Sequence, residues 1–262
     1  MATQDEINQR EQWILERLLR EGALTVDEIC AEFKVSVATA RRDLEGLESR
    51  GRLRRTHGGA ISVEPLLYEA FSHVSSYKEQ AERFADEKRR IALAAARLID
   101  EGDTIALTPG TTTTQIMRAI PPHKSITVVT NTVNVAMELS NRPGINVFVT
   151  GGFLHGGWFS LVGQAASDAL RRIFVDKLFI GANGLHSEHG ATAYHPEEAA
   201  LNSVMVHQAR EKIAVVDHSK LGVVATHLFC PVLSLNRLIT DVCATDDMVA
   251  GFIEKGIQVL RV

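Results

Sequence analysis

The first sixty residues carry the apolar spacing of three short helices. Apolar residues recur among charged ones over residues 5–21, and Gly22 ends that pattern. The sequence TVDE has the form of a capping box, in which Thr25 and Glu28 bond each other's main-chain amides at the start of a second helix. Ser36 is the expected N-cap of a third helix. These signals predict three consecutive helices.

The third predicted helix has an apolar side and a polar side. Its apolar positions recur every three or four residues: Val37, Ala40, Leu44 and Leu47. Small, hydroxyl and basic residues occupy the other side: Ala38, Thr39, Arg41 and Arg42. After this helix, RLRRTHGGAIS (52–62) predicts two extended segments around a Gly-Gly turn. Three helices and a basic hairpin suit a helix-turn-helix domain whose third helix enters the major groove of DNA.

From residue 86 onward, helical stretches alternate with runs rich in Val, Ile and Leu. Such runs between helices are typical of a mostly parallel sheet with helices on both faces. Residues 61–85 have no clean period at first and then turn helical, which predicts a linker. The predicted fold is therefore α/β, with a DNA-binding domain at 1–60, a linker at 61–85 and a mostly parallel α/β domain at 86–262.

Charge supports DNA binding locally and not globally. The chain of 262 residues has a formal net charge of −4, which excludes an overall basic field. Residues 34–60 nevertheless carry seven basic and three acidic side chains, although a solvated charge run is the alternative interpretation. Helix arginines suit base edges and hairpin arginines suit phosphates. The predicted DNA contacts are Ser36, Ala38, Thr39, Arg41, Arg42, Arg52, Arg54, Arg55, His57 and Gly58.

The remaining composition indicates a cytoplasmic protein. Cys30, Cys230 and Cys243 lack CxxC spacing, so we expect small buried side chains in a reducing compartment. The N-terminal residues are polar, and no run approaches the roughly 18 apolar residues that a membrane span needs. The histidine-containing stretch GLHSEHGATAYH is predicted to be an exposed loop, and we expect no metal and no cofactor.

Glycine, hydroxyl or charged residues follow five predicted strands, at 110–114, 130–131, 151–152, 181–184 and 217–220. Ligands of open parallel sheets bind at the carboxyl ends of strands, where helix N-termini present free amides. Glycines, threonines and a lysine suit a phosphorylated small molecule, although ordinary strand-to-helix turns are the alternative. No Walker A motif and no GxGxxG is present, which gives little support to a nucleotide.

The stretch SVATARRDLEGLESRGRLRRTHGGA is followed along the chain by GTTTTQ, TN, GG, DKLFIGANG and DHSK. In these motifs and in their order, the sequence resembles the DeoR family of bacterial sugar-operon regulators. The resemblance covers nearly the whole chain. It implies a winged helix-turn-helix followed by a sugar-phosphate-sensing domain, which in this family is similar to ribose-5-phosphate isomerase and glucosamine-6-phosphate deaminase.

Those enzymes need a carboxylate near the sugar carbonyl. The candidates are Asp103, Asp176, Glu197, Glu198 and Asp217, and the resemblance implies Asp176 with Glu197 or Glu198 near the sugar, although the first turn of a helix after Pro196 also favours acids. The predicted effector-binding residues are Gly110, Thr111, Thr112, Thr113, Thr130, Asn131, Gly151, Gly152, Asp176, Asn183, Glu197 and Lys220. Many family members have Asp where this chain has Thr108, which weakens any expectation of catalysis.

Two functions are compatible with these patterns. The first is a transcriptional repressor of a carbohydrate catabolism operon, a homo-oligomer (dimer or tetramer) that a phosphorylated sugar releases from double-stranded operator DNA. The second is a sugar-phosphate isomerase or deaminase with an N-terminal appendage. A complete DNA-reading unit at residues 1–60 favours the repressor, because catalysis would not need it. Neither membrane partners nor catalytic residues are expected, and the protein would associate with the bacterial nucleoid when bound to DNA.

Overall fold

The computed structural model describes residues 4–50, 52–62, 75–121, 124–155 and 158–262. Its contacts divide the chain into two compact units, residues 1–73 and 74–262. Residues 63–74 of the predicted linker lie outside the described residues, and 75–82 form a helix of the second unit. The domain limits drawn from the sequence therefore stay predictions.

The first unit has the predicted order of helices and hairpin. Its elements are α1 (Gln4–Glu21), β1 (Ala23–Thr25), α2 (Val26–Phe33), α3 (Val37–Ser49), β2 (Leu53–Thr56) and β3 (Gly59–Ser62). The three strands form an antiparallel sheet in the order β1-β3-β2. The short strand β1 was not predicted, because three residues that end at a helix cap carry no recognisable period.

Both predicted caps are confirmed. The Glu28 amide donates to Thr25 Oγ1 at 3.3 Å, and the Thr25 amide donates to Glu28 Oε2 at 2.7 Å, which completes a capping box. The Thr39 amide donates to Ser36 Oγ at 3.2 Å at the start of α3. The turn between α2 and α3 contains Lys34 with a φ of +51°, a left-handed conformation that ends α2.

Gly59 allows the hairpin to pack against β1. A Cβ atom at this position would lie 1.9 Å from the main-chain oxygen of Leu24, which is far inside van der Waals contact. Glycine alone avoids this clash, so β3 can pair with β1 on one side and β2 on the other. The second glycine of the predicted Gly-Gly turn is therefore needed for close strand approach.

A buried ion pair joins α1 to α3 beside the core of the first unit. Ile14, Ile29 and Leu44 are fully buried there. Next to them, Arg10 donates two hydrogen bonds to the Asp43 carboxylate, at 2.5 and 3.1 Å. Both side chains are almost inaccessible, with 4% and 9% exposed. A count along the sequence includes Asp43 among the acidic residues that offset the arginines of α3. Its buried carboxylate is paired with Arg10 instead, so it does not offset the positive charge of the α3 surface.

The second unit is an α/β domain, as predicted. Its helices are α4 (Ser75–Glu82), α5 (Ala85–Ala96), α6 (Thr111–Ala119), α7 (Val133–Leu139), α8 (Gln164–Leu170), α9 (Pro196–Gln208) and α10 (Asp246–Glu254). Its main strands are β4 (Thr104–Leu107), β5 (Ile126–Thr130), β6 (Ile145–Val149), β9 (Val175–Ile180), β12 (Ala209–Val215), β14 (Arg237–Thr240) and β15 (Gln258–Arg261). The smaller strands are β7 (Phe153–His155), β8 (Ser160–Val162), β10 (Gly184–His186), β11 (Gly190–Ala193) and β13 (His227–Cys230).

Seven strands form one parallel sheet in the order β15-β14-β12-β9-β4-β5-β6. Alternate residues face two separate cores. Ile105 and Leu107 of β4 join the core with α5 and α6, whereas Ala106 joins the core with α8 and α9. The chain runs outward from β4 to β6 and then returns to β9, on the other side of β4. The strand order therefore reverses between β4 and β9.

Two sequence expectations are wrong in this unit. GLHSEHGATAYH is not a loop, because β10 and β11 pair within it as an antiparallel hairpin that also pairs with β13. These strands were not recognised because the stretch contains few large apolar residues, so it shows no clear alternation of apolar and polar positions. Cys230 is buried as expected, but Cys243 is exposed, beside the fully buried Asp241.

Replacing Arg10 with Met should destabilise the first unit by about 3–5 kcal/mol, because the Asp43 carboxylate would stay buried without its partner. Urea unfolding of the full chain, followed by Trp13 fluorescence in a Trp158→Phe background, measures the effect. The double variant Arg10→Met with Asp43→Leu is the control and should recover most of the loss. Unchanged stability of the single variant would show that the pair contributes nothing.

Candidate functional site

The polar side of α3 and the tip of the hairpin form one exposed surface, here called the α3–wing face. It consists of Ser36, Val37, Ala38, Arg41, Arg42, Arg54, His57 and Gly58, all of them exposed. Thr39 is half-buried, and its hydroxyl lies 3.0 Å from that of Ser36. Ser36, Ala38, Arg41 and Arg42 are thus accessible as the sequence predicts, at the helix start that reads bases in helix-turn-helix proteins.

Val37 was assigned to the apolar stripe of α3, and this assignment is wrong. Its side chain is 44% exposed, whereas Ala40, Leu44 and Leu47 are buried. The first helical residue projects beyond the core even though its spacing matches the stripe. An exposed aliphatic side chain at this place is of the kind that can contact a thymine methyl group.

The arginines near the hairpin differ in how free their side chains are to contact DNA. Arg55 donates to Glu48 of α3 through its side chain at 2.7 Å and its amide at 2.9 Å. Arg52 is only half-buried and close to Arg50, and burial lowers its pKa. Arg54 is exposed and forms no ion pair with another described residue, so it is free for a DNA phosphate.

The second unit contains a cavity of about 280 Å³ at the point where the strand order reverses. Crevices of this kind, outside the carboxyl ends of adjacent strands, are where open α/β sheets bind ligands. The loops after β4, β9 and β12 line it, together with residues of α4, α5 and α9. Predicted effector residues in the lining are Gly110, Thr111, Thr112, Asn183 and Lys220.

The four consecutive threonines divide into two pairs. Thr111 and Thr112 line the cavity at the start of α6, where the first amides of a helix have no intrahelical acceptor. Thr113 Oγ1 donates instead to the main-chain oxygen of Thr108 at 2.7 Å, and Thr114 Oγ1 donates to that of Gly110 at 2.8 Å. The first pair can bind an anion and the second pair fixes the turn.

Thr108 connects the two loops on either side of the reversal point. Its hydroxyl accepts a hydrogen bond from the Gly181 amide at 2.9 Å, and it lies 3.3 Å from the Gly181 carbonyl oxygen. The residue is 1% exposed and does not line the cavity. Thr108, where the resemblance implies Asp in many relatives, therefore connects the loops that follow β4 and β9.

Three cationic side chains line the cavity: Arg83, Lys88 and Lys220. Lys88 is 3% exposed, and its ammonium donates to the main-chain oxygens of Gln80 and Arg83, the latter at 2.7 Å. Burial lowers the pKa of Lys88 to about 8, while the nearby Asp217 carboxylate opposes that shift. Lys88 was not predicted, because its surrounding sequence, EKRRIALAAA, indicates only a helix with a basic side.

Acceptor side chains line the same cavity. Asp217 and Glu198 are buried, with 2% and 8% exposed, and Asn202 lies one helical turn beyond Glu198 on α9. Asp217 Oδ1 also accepts from the Ser219 amide at 3.1 Å, which fixes the loop after β12. Glu197, the residue predicted from the resemblance together with Glu198, is exposed to solvent and does not line the cavity.

Several predicted effector residues lie away from the cavity lining. Thr130 is buried and its hydroxyl contacts that of Thr132, while Asn131 Nδ2 donates to Leu161 of β8. Gly151 and Gly152 follow the edge strand β6, and they and Thr113 are outside the lining too. These loops follow β5 and β6, which lie on the far side of β4 from β9, so strand order separates them from the reversal point.

Asp176 lies at the amino-terminal edge of the sheet, opposite the cavity, because it is the second residue of β9. Ligands of open α/β sheets bind at the other edge, where the strands end. Its carboxylate accepts from the Thr104 amide at 3.0 Å and from Arg210 at 3.2 Å. Asp103, also at that edge, pairs with Lys177 at 2.6 Å. The structure therefore does not bring Asp176 to the cavity, contrary to the expectation from the resemblance.

Outside the cavity, one group of described residues combines metal-binding atom types: His218, Asp241 and Cys243, whose donor atoms lie within 4.8 Å of one another. The Asp241 carboxylate already accepts hydrogen bonds from the amides of His218 and Cys243, at 2.7 and 2.9 Å, and it contacts His218 Nδ1. These bonds keep the pKa of Asp241 low even though burial opposes them. The carboxylate caps two turns and needs no ion for that purpose.

Each of the two units contains a segment that matches the model of a known protein family. Residues 10–65 match the model of the DeoR-like helix-turn-helix domain, and residues 83–242 match that of the DeoR C terminal sensor domain. The chain belongs to the DeoR family. The α3–wing face thus lies in the helix-turn-helix domain and the cavity lies in the sensor domain.

Relatives within the DeoR family match almost end to end. The chain is 36% identical to the HTH-type transcriptional repressor GlcR of Bacillus subtilis, over 87% of this chain and 86% of that protein. It is 31% identical to the putative aga operon transcriptional repressor of Escherichia coli O157:H7, over 97% and 94%. It is 34% identical to the lactose phosphotransferase system repressor of Staphylococcus epidermidis, over 85% and 87%.

Among solved structures, ribose 5 phosphate isomerase A from Neisseria gonorrhoeae aligns with 52% of this chain and 52% of its own, at 15% identity and a TM-score of 0.39. This likeness is too weak to establish more than the family models do. None of the described helices combines the length and apolar character that crossing a bilayer requires.

Arg54→Ala should reduce the dependence of DNA affinity on salt, because one phosphate contact contributes about 0.9 to the slope of log K against log salt. Fluorescence anisotropy with a nonspecific duplex over a salt series measures that slope. Arg55→Ala is the matched control, and its slope should change less since Arg55 is paired with Glu48. Equal changes in the two variants would contradict the division between free and paired arginines.

Affinity of the cavity for a phosphate monoester such as ribose 5-phosphate should fall about tenfold between pH 7 and 9. The ammonium of Lys88 attracts the anion below its pKa of about 8 and loses its charge above it, whereas the monoester, with a second pKa of about 6, stays a dianion throughout. Calorimetric titration measures the profile. Lys88→Met should bind more weakly with a flatter profile, and identical slopes would exclude Lys88 from the site.

Proposed function

We propose that this protein is a transcriptional repressor of a carbohydrate catabolism operon and that a phosphorylated sugar releases it from its operator. One observation carries the proposal. A single chain combines an exposed, basic α3–wing face with a cavity in which three cations and a helix N-terminus converge. The first suits double-stranded DNA and the second suits a phosphate ester.

The relatives support repression and a sugar signal. The three named above are called repressors, two of them transcriptional repressors, and the names of two include the aga operon and a lactose phosphotransferase system. Because these proteins are regulators and not enzymes, the cavity is best understood as a sensor. The enzyme alternative loses further support at Thr108, since a hydroxyl engaged with Gly181 cannot act as a carboxylate base.

Lys88 offers a physical link between ligand and release. Its ammonium holds the carbonyl oxygens of Gln80 and Arg83 at the end of α4, the first described helix after residues 63–74. Tyr77 of α4 also donates to Thr114 of α6 at 3.2 Å. A phosphate in the cavity would compete with the carbonyl oxygens for Lys88. Ligand binding would then change how α4 is held, next to the segment that leads to the DNA-binding unit.

The same proposal includes a homo-oligomer in the cytoplasm. Helix-turn-helix repressors bind two half-sites through two copies of the domain, so one recognition helix per chain requires at least a dimer. A repressor acts where the genome is, which places it with the nucleoid when it is bound to DNA.

Gel shift with the DNA beside the protein's own gene tests the function. Specific binding should be lost on adding one member of a panel of sugar phosphates, with a coupling of about 1–3 kcal/mol between the two ligands. Lys220→Ala should abolish that release and leave operator affinity intact, because Lys220 lines the cavity in the other unit. Glu197→Gln, an exposed neighbour of the lining, is the control and should respond as the wild type does.

Two outcomes would contradict the proposal. Turnover of a sugar phosphate without specific DNA binding at low salt would favour the enzyme alternative. Specific DNA binding that no sugar phosphate weakens would leave a DNA-binding protein whose cavity senses something else.

A further inference from the structure

Asn202 is a buried polar side chain whose acceptor atom has no partner. It lies in the second turn of α9, is 5% exposed and lines the cavity. Its Oδ1 has no hydrogen-bond partner among the described residues. Leaving such an atom unpaired in an apolar core costs on the order of 1–3 kcal/mol. A buried acceptor at a cavity wall is therefore placed for a donor that the protein does not supply.

Glu198 presents a second acceptor on the same face. It precedes Asn202 by four residues, which is one turn of α9, so both side chains project in one direction. Its Oε1 accepts from the Ser160 hydroxyl at 2.9 Å and lies 3.9 Å from His155 Nδ1. Ser160 belongs to β8, and it is completely buried. The carboxylate is thus held in place by a second element while it lines the cavity.

The cavity therefore combines two kinds of chemistry. Arg83, Lys88, Lys220 and the start of α6 offer positive charge and donors, which suit a phosphate. Glu198 and Asn202 offer acceptors, and a phosphate dianion has no hydrogen to give them. The part of the ligand that faces α9 must carry donors, and hydroxyl groups are the donors of a sugar.

We propose that Asn202, with Glu198, recognises hydroxyl groups of the ligand and so makes the cavity selective for polyhydroxylated phosphate esters over simple phosphates. This inference rests on the proposed function, in which the ligand is a phosphorylated sugar. Asn202 is the specificity residue, and the cations with the α6 N-terminus supply affinity for the phosphate common to all candidates. A site built to bond a hydroxyl rejects an analogue that lacks it, because its buried acceptor is then left unpaired.

The test compares full-length wild type with Asn202→Leu by calorimetric titration. The probes are the best-binding sugar phosphate of the panel, its monodeoxy analogues and inorganic phosphate. Asn202→Leu should weaken the sugar phosphate about tenfold and leave inorganic phosphate unchanged. One monodeoxy analogue should bind wild type about tenfold more weakly than the parent, and the variant should not distinguish the two. Glu197→Gln is the matched control on the same helix and should behave as wild type.

The results separate this inference from the proposed function. Equal weakening of the sugar phosphate and inorganic phosphate would overturn the role of Asn202, because it would indicate general damage to the site. Equal discrimination between parent and deoxy analogues in wild type and variant would overturn it too. Binding of inorganic phosphate alone by wild type would overturn hydroxyl recognition and the sugar signal together, while specific operator binding would still hold. Retained operator affinity and an unchanged circular dichroism spectrum would show that the variant is folded.

Discussion

The architecture of the second unit depends on the parallel pairing of β4 with two strands, one next to it in the sequence and one far from it. β4 bonds to β5 directly after it and to β9 only after the excursion through β5 and β6. The loops that leave β4 and β9 must then diverge, and a crevice opens between them. Thr108 keeps the two loops together through its hydrogen bonds to Gly181. Below these loops, β4 and β9 are joined by a parallel ladder of main-chain hydrogen bonds.

In both units, the charge that a side chain can offer a ligand depends on whether an opposite charge lies beside it in the fold. A charged side chain that pairs with an opposite charge within the fold has less net charge to offer a ligand, whereas one without an opposite charge beside it keeps its charge. Arg10 neutralises Asp43 and Glu48 holds Arg55, so the exposed charge of the α3–wing face comes from Arg41, Arg42 and Arg54. In the sensor domain, Lys88 bonds to main-chain carbonyls and not to a carboxylate, so its positive charge remains available to an anion.

Much of the fold could be predicted from the sequence because its signals are local. Helix caps at Thr25 and Ser36 and the alternation of apolar runs with helices depend on neighbouring residues. The order of strands in the sheet does not, and it decides which loops meet. Thr111, Thr112 and Lys220 were predicted for the cavity and line it, whereas Asn131 and Asp176 were excluded by strand order and by strand direction. Lys88 and Asn202 escaped notice because each is an ordinary residue within a helical pattern until the helix is packed against the crevice.

The opening of α6 shows why a row of identical residues need not have one role. Four threonines follow Gly110, but the helix turns by about 100° per residue and carries successive side chains to different surroundings. The hydroxyls of Thr113 and Thr114 donate to the main-chain carbonyl oxygens of Thr108 and Gly110, and these bonds fix the start of the helix. Thr111 and Thr112 can then present their amides to the cavity from a rigid position. The proposed anion site would thus depend on two residues outside the cavity lining, because Thr113 and Thr114 fix the turn from which Thr111 and Thr112 face the cavity.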